Sequence, residues 1–145
     1  MDLGLAGRVA LVTGGSKGIG LGIATALAAE GARVAVASRT REAVEAAAEQ
    51  IGGTAFVFDS DDLDAIPGLL DGVESALGPI DVYIANTGGP PPNPEPLDFT
   101  REQWEAAHRT LVLSPMTVLA RLLPQMRGAA GAAWSRSPRA RSASR

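Results

Sequence analysis

The chain has 145 residues, 46% hydrophobic and 20% charged, enough for one domain with a buried core. It has no cysteine, which excludes disulfides, cysteine-ligated zinc, iron–sulfur clusters and thiol nucleophiles, and a single histidine, His108, which argues against a histidine-rich metal site; no metal ligand is assigned. The net charge of −3 conceals a split: residues 1–105 carry all 16 acidic and 6 of the 13 basic residues, for −10, whereas residues 106–145 carry 7 arginines and no acid, for +7.

Arg8–Thr13 is a β-branched run ending in glycines and reads as a buried strand. Gly18–Glu30 follows as a helix, with Ile19, Ile23 and Leu27 on one face and Gly31 as its stop. Ala32–Ala37 is a second strand, and Thr40 is placed to cap a helix that runs to Gln50 and ends at Gly52–Gly53. Thr54–Phe58 is a third strand. Asp61–Leu77 is a helix with Leu63, Ile66, Leu70, Val73 and Leu77 inward, compatible with Pro67 only in its first turn. Ile80–Ala85 is a fourth strand, and the glycine- and proline-rich stretch Gly88–Pro96 is a loop. Thr100 with Gln103 forms a capping-box pattern for a helix carrying Trp104, Leu111, Val118 and Leu122, which Pro115 should kink or interrupt. The order β-α-β-α-β-α-β-α, with strands that lack polar alternation, predicts an α/β fold: a doubly wound parallel sheet of order 3-2-1-4 with helices on both faces. After Met126 the periodicity stops, and Arg127–Arg145 reads as a disordered Arg/Ser/Ala-rich tail. No apolar run approaches the ~20 residues that span a bilayer. Met1–Arg8 lacks the pattern of a secretory signal, so a soluble cytoplasmic protein with no membrane partner is expected.

Thr13-Gly14-Gly15-Ser16-Lys17-Gly18-Ile19-Gly20 joins the first strand to the first helix. Glycines let the backbone turn tightly and approach a pyrophosphate, while the helix N-terminus offers free N–H groups and a positive dipole end. No Gly-Lys-Ser/Thr closes the loop, so it is not a Walker A element. The strand before it and the helix after it give the glycine cluster its meaning: the site should take a dinucleotide through Gly14, Ser16, Lys17, Gly18, Ile19 and Gly20.

With this loop the sequence resembles the short-chain dehydrogenase/reductase family, whose loop is TGxxxGxG. The resemblance covers about Leu3–Met126. Asp59 and Ser60 end the third strand, where the resemblance implies contacts near adenine. Asn86-Thr87-Gly88 ends the fourth, as a variant of the family's N-A-G element with Ala85 in place of a flanking asparagine. Within the family the chain is most similar to the 3-oxoacyl-carrier-protein reductase type. The resemblance implies a Rossmann-type sheet, hydride transfer between a nicotinamide and a small carbonyl or hydroxyl substrate, and homo-oligomers joined through the Trp104 helix. An NAD-specific fold places an acid at the end of the second strand to hold the ribose 2′-OH. Here that place holds Ser38-Arg39. A serine donor and an arginine fork suit a 2′-phosphate, with Lys17 as a second cation, which favours NADP(H) over NAD(H).

The family's catalytic set is Asn-Ser-Tyr-Lys. The serine, tyrosine and lysine follow its fifth strand, which this chain does not reach, so the fold reads as truncated after the fourth strand and its succeeding helix. The asparagine should fall near Leu111, which cannot serve. The chain's one tyrosine, Tyr83, reads as a packing residue and its one lysine, Lys17, as part of the phosphate loop. His108, alone on its helix, reads as partly exposed. No catalytic residue is assigned, and the chain is expected to bind cofactor without using it. Read two bases out of register, the codons for Ala130–Pro138 permit Trp-Gly-Arg-Val-Val-x-Ile-Ser-Ser, which resembles the family's fifth strand. The tail from Arg127 is then either an out-of-frame translation of a longer reductase gene or a genuine basic tail. Two other readings stand beside the reductase: a non-catalytic nucleotide-binding module, and a nucleic-acid binder using the five tail arginines. The −10 body and the single tail aromatic, Trp134, oppose the last.

Overall fold

The computed structural model describes residues 2–89 and 95–135. Four strands form one parallel sheet of order β3-β2-β1-β4: β1 Val9–Thr13, β2 Arg33–Ser38, β3 Thr54–Val57 and β4 Val82–Ile84. This is the order expected from the sequence. Every residue of β1 is buried, because helices cover both faces of the central strands.

Helices α1 (Gly18–Ala29) and α2 (Arg41–Ile51) lie on one face, over Ala10, Val12, Val34 and Val36. Helices α3 (Ile66–Leu77) and α5 (Ser114–Ser135) lie on the other, over Val9, Leu11, Ala35 and Ala37. Leu70 of α3 is fully buried there beside Ile66 and Val73. Leu70→Ala removes part of this core, and should cost about 2–5 kcal/mol in chemical denaturation. A loss below about 1 kcal/mol would mean the α3 face is not the packed core described.

Several local expectations change. The inward face of α1 is Gly20 and Ala24, and Ile19 is 77% exposed. Small residues face the sheet because the helix start lies almost against the β1 turn, so the larger Ile19 is displaced outward. Thr40 is extended but makes no side-chain cap bond to α2, whose C-terminus is closed by Gly52 in the left-handed region. The stretch Asp61–Leu77 starts with a short 3-10 turn, Leu63–Ala65, capped by Asp62, and Pro67 sits in the first turn of α3 as required.

The Thr100 capping box is present: Thr100 Oγ1 accepts from Gln103 N at 3.2 Å, and Thr100 N donates to Gln103 Oε1 at 2.8 Å. It starts α4 (Arg101–His108), which passes through a π-turn, Arg109–Leu113, into α5. Val118 and Leu122 are buried as expected, but Trp104 and Leu111 are exposed. The wide turn shifts them off the stripe. The helix also continues beyond Met126 to Ser135, so 127–135 is helical rather than disordered. Its Gly-Ala-Ala-Gly-Ala-Ala run supplies alanines, the strongest helix formers, without needing a core. Residues 136–145, and with them most of the proposed tail, lie outside the described residues. Among the described residues no helix is long and apolar enough to cross a membrane.

Candidate functional site

In a parallel sheet every strand delivers its next loop to the same edge. The four sequence-predicted segments therefore meet: the glycine loop follows β1, Ser38-Arg39 ends β2, Asp59-Ser60 follows β3 and Asn86-Thr87-Gly88 follows β4. The strand order reverses at β1, since β2 lies to one side of it and β4 to the other. A crevice outside the carboxyl ends at such a switch point is where open α/β sheets bind ligands.

The glycines of the loop are set by close approach. Gly14 lies at φ +59°, and a Cβ on it would stand 2.7 Å from Asn86 Nδ2. Gly18, at φ +55°, also occupies the left-handed region but meets nothing within 4 Å, so its outer side is open. Gly20 is the tightest: a Cβ there would stand 2.2 Å from the Gly14 carbonyl oxygen. Lys17 at the N-cap of α1 makes no side-chain cap bond. The first-turn N–H groups of a helix have no partner within the helix, so here they face the crevice. Exposed Ile19 stands beside them. A backbone cradle with a positive dipole end and no Cβ in the way fits a pyrophosphate.

Asn86 ties this loop to β4. Its Nδ2 donates to the Gly14 carbonyl at 3.0 Å and the Thr13 carbonyl at 3.3 Å, and its backbone N donates to Thr13 Oγ1 at 3.3 Å. Thr13 Oγ1 in turn donates to the Ile84 carbonyl at 3.3 Å. Thr13, almost completely buried, is thus a polar hub that sequence reasoning read only as the end of a strand. A threonine closing an otherwise apolar buried run was the available signal.

Ser38 Oγ is buried and has no hydrogen-bond partner among the described residues. A buried hydroxyl left unpaired is costly unless something outside the chain pairs with it. Beside it, exposed Arg39 forms no ion pair with the described residues, nor does Lys17. Asp59 is partly committed, since its Oδ1 accepts from Asp61 N at 3.0 Å. Thr87 Oγ1 lies 3.4 Å from the Gly88 carbonyl, and both residues stay at the crevice edge.

A cavity of about 190 Å³ lies deeper, between the β4 end and the π-turn, walled by Thr13, Ser60, Asn86, Thr87, Thr110, Leu111 and Ser114. Tyr83 also reaches it. Burial pushes the Tyr83 phenol above its ordinary value, and a hydrogen bond with Thr13 acts weakly the other way. The phenol is therefore neutral near pH 7, in keeping with a packing role. Leu111 stands at this cavity where the resemblance calls for an asparagine. A broader groove of about 680 Å³, lined by Arg101, Trp104, Glu105, His108, Arg109 and Leu113, lies along α4 and shares no residue with the glycine loop. Residues 90–94 of the glycine- and proline-rich loop lie outside the described residues.

Comparison with known proteins bears on the same region. The family model described as short chain dehydrogenase matches residues 8–133. The NADP-dependent (R)-specific alcohol dehydrogenase of Lentilactobacillus kefiri is 38% identical over 104 residues, 69% of this chain and 41% of that protein. Gluconate 5-dehydrogenase of Gluconobacter oxydans is 39% identical over 107 residues, 70% of this chain and 41% of that protein. The crystal structure of L-sorbose reductase from Gluconobacter frateurii, complexed with NADPH and L-sorbose, superposes with a TM-score of 0.75 at 30% identity, covering 88% of this chain and 51% of that one. The chain thus spans about two-fifths to half the length of these proteins.

Proposed function

Because the chain belongs to the short chain dehydrogenase family, we propose that it supplies the cofactor-holding part of an NADP(H)-dependent oxidoreductase acting on a carbonyl or hydroxyl compound. The observation that carries the cofactor choice is the second-strand end. Among the described residues Ser38 Oγ is buried without a partner and Arg39 beside it is unpaired, and no acid stands there to hold a ribose 2′-OH. The NADPH in the sorbose reductase structure and the NADP dependence of the Lentilactobacillus enzyme support the same preference.

When bound, the nicotinamide would supply the hydride. The chain's own residues bind and orient. The α1 N-terminus and Gly14–Gly20 backbone receive the pyrophosphate, Ser38 and Arg39 with Lys17 receive the 2′-phosphate, and Asp59, Ser60 and Asn86-Thr87-Gly88 border the base and ribose. Arg39→Ala should weaken NADPH binding by about 10- to 100-fold, the loss of a hydrogen-bonded charge pair worth about 1.5–3 kcal/mol, while leaving NADH nearly unchanged. Titration with both nucleotides tests this, and NADH binding more tightly than NADPH to the parent protein would reverse the assignment.

The second reading, a nucleotide-binding module without catalysis, is favoured by Leu111 at the cavity and by the position of the one tyrosine and the one lysine. Tyr83 lines the deep cavity from β4, and Lys17 stands at the N-cap of α1. Measurable carbonyl reduction by the purified chain would reject this module reading. The exposed apolar residues Trp104, Val112 and Met116, on α4, the π-turn and α5, support a homo-oligomer joined there.

A further inference from the structure

Pro115 is the sequence feature that cofactor binding leaves unused. A straight α-helix through it would press its ring against the Leu111 carbonyl and offer that carbonyl no N–H. The chain widens the turn instead: Ser114 N–H donates to the Arg109 carbonyl, five residues back. One extra residue rotates everything before the turn by about 100° relative to α5.

The two sides of the turn are held unequally. In α5, Val118 and Leu122 are fully buried, Arg121 meets both Asp71 and Glu74 at 2.9 Å, and Gln125 donates to Glu74 at 2.8 Å. In α4 the holds are an edge-on Phe99–Trp104 contact at 5.4 Å and the exposed Arg109–Asp61 pair at 3.6 Å. The rotation therefore falls on α4. In a straight helix Trp104 and Leu111 would share the buried stripe of Val118 and Leu122. With the wide turn Trp104 is 56% exposed, and Thr110 takes the inner position, its Oγ1 donating to the Ala107 carbonyl at 3.2 Å. Ser114, 3% exposed, continues that inner line into α5.

We propose that Pro115 is a positioning residue of the crevice. By enforcing the wide turn it sets Thr110 and Ser114 in the wall of the deep cavity and keeps Leu111 from swinging into the core. π-turns concentrate at functional sites for this reason, since they re-aim side chains at a local cost in helix stability. The effect on cofactor rests on the function proposed above; the effect on helix register does not.

The test uses Pro115→Ala in the full chain carrying Trp134→Phe, so that Trp104 is the only tryptophan. The helix should straighten, with Trp104 emission moving to the blue, its quenching by acrylamide falling, NADPH affinity dropping severalfold, and the thermal midpoint holding or rising. An unshifted Trp104 overturns the proposal, whatever the affinity does. A shifted Trp104 with unchanged NADPH affinity overturns the positioning role. If the Trp134→Phe parent binds no NADPH, the cofactor function fails, and the Trp104 spectra still decide whether Pro115 sets the register.

Discussion

Gly20→Ala should abolish measurable NADPH binding and destabilise the protein, whereas Gly22→Ala, two residues along the same helix, should stabilise it. A Cβ at Gly20 would stand 2.2 Å from the Gly14 carbonyl oxygen and 2.6 Å from Asn86 Nδ2. The carbonyl is backbone, so α1 itself must move away from β1, opening the cradle proposed to receive the pyrophosphate. Overpacking of this kind costs about 1–3 kcal/mol. At Gly22 a Cβ meets nothing within 4 Å and the backbone is not left-handed, so alanine gains about 0.5–1 kcal/mol of helix propensity. Thermal unfolding and nucleotide titration of the two variants side by side check this. Similar midpoints for both would show that the helix start does not sit against the loop.

Asn86→Asp is expected to be the more damaging of two changes at the residue that ties the phosphate loop to β4. The amide donates to two carbonyls, at 3.0 and 3.3 Å. Alanine deletes both bonds and should cost about 1–3 kcal/mol. A carboxylate places an anionic oxygen against the same two acceptors, so the loss should be about 3 kcal/mol or more, with cofactor binding lost as well. The protonated acid can still donate to one carbonyl, so folding raises the pKa of this carboxyl above its unfolded value. A raised acid pKa means the folded state binds more protons, so stability falls as pH rises through that range and returns on acidification. Denaturation of Asn86→Asp at several pH values should show this recovery, and Asn86→Ala should not. Equal pH profiles for the two would remove Asn86 from its place between loop and strand.

Much of the fold was legible because it rests on local, repetitive signals. Short β-branched runs alternating with amphipathic stretches dictate a parallel sheet, and the right-handed crossover rule orders it. The segments of the candidate site were legible for a related reason: each follows a strand directly, and parallel strands all point their loops to one edge. The capping box at Thr100 and Gln103 is equally local. What was misread depends on distances between elements. Periodicity placed Ile19 inward, but the near contact of Gly20 with Gly14 turns the helix so that small residues face the sheet. Heptad spacing aligned Trp104 and Leu111 with Val118, but one wide turn before Pro115 removes them from that line. Composition ended the ordered chain at Met126, yet alanine propensity carries α5 to Ser135.

The sequence by itself determined the strand order, the glycine-rich loop between β1 and α1 and the basic, acid-free end of β2, because each is written in residues adjacent along the chain. The tertiary structure decided the rest: that Thr13 and Asn86 lock the loop across more than seventy residues, that Ser38 Oγ is buried without a partner among the described residues, and that the wide turn before Pro115 leaves Trp104 exposed and sets Thr110 in the cavity wall. Those features arise from how closely separate segments approach and which of two joined helices is held more firmly, and neither is encoded in any single window of residues.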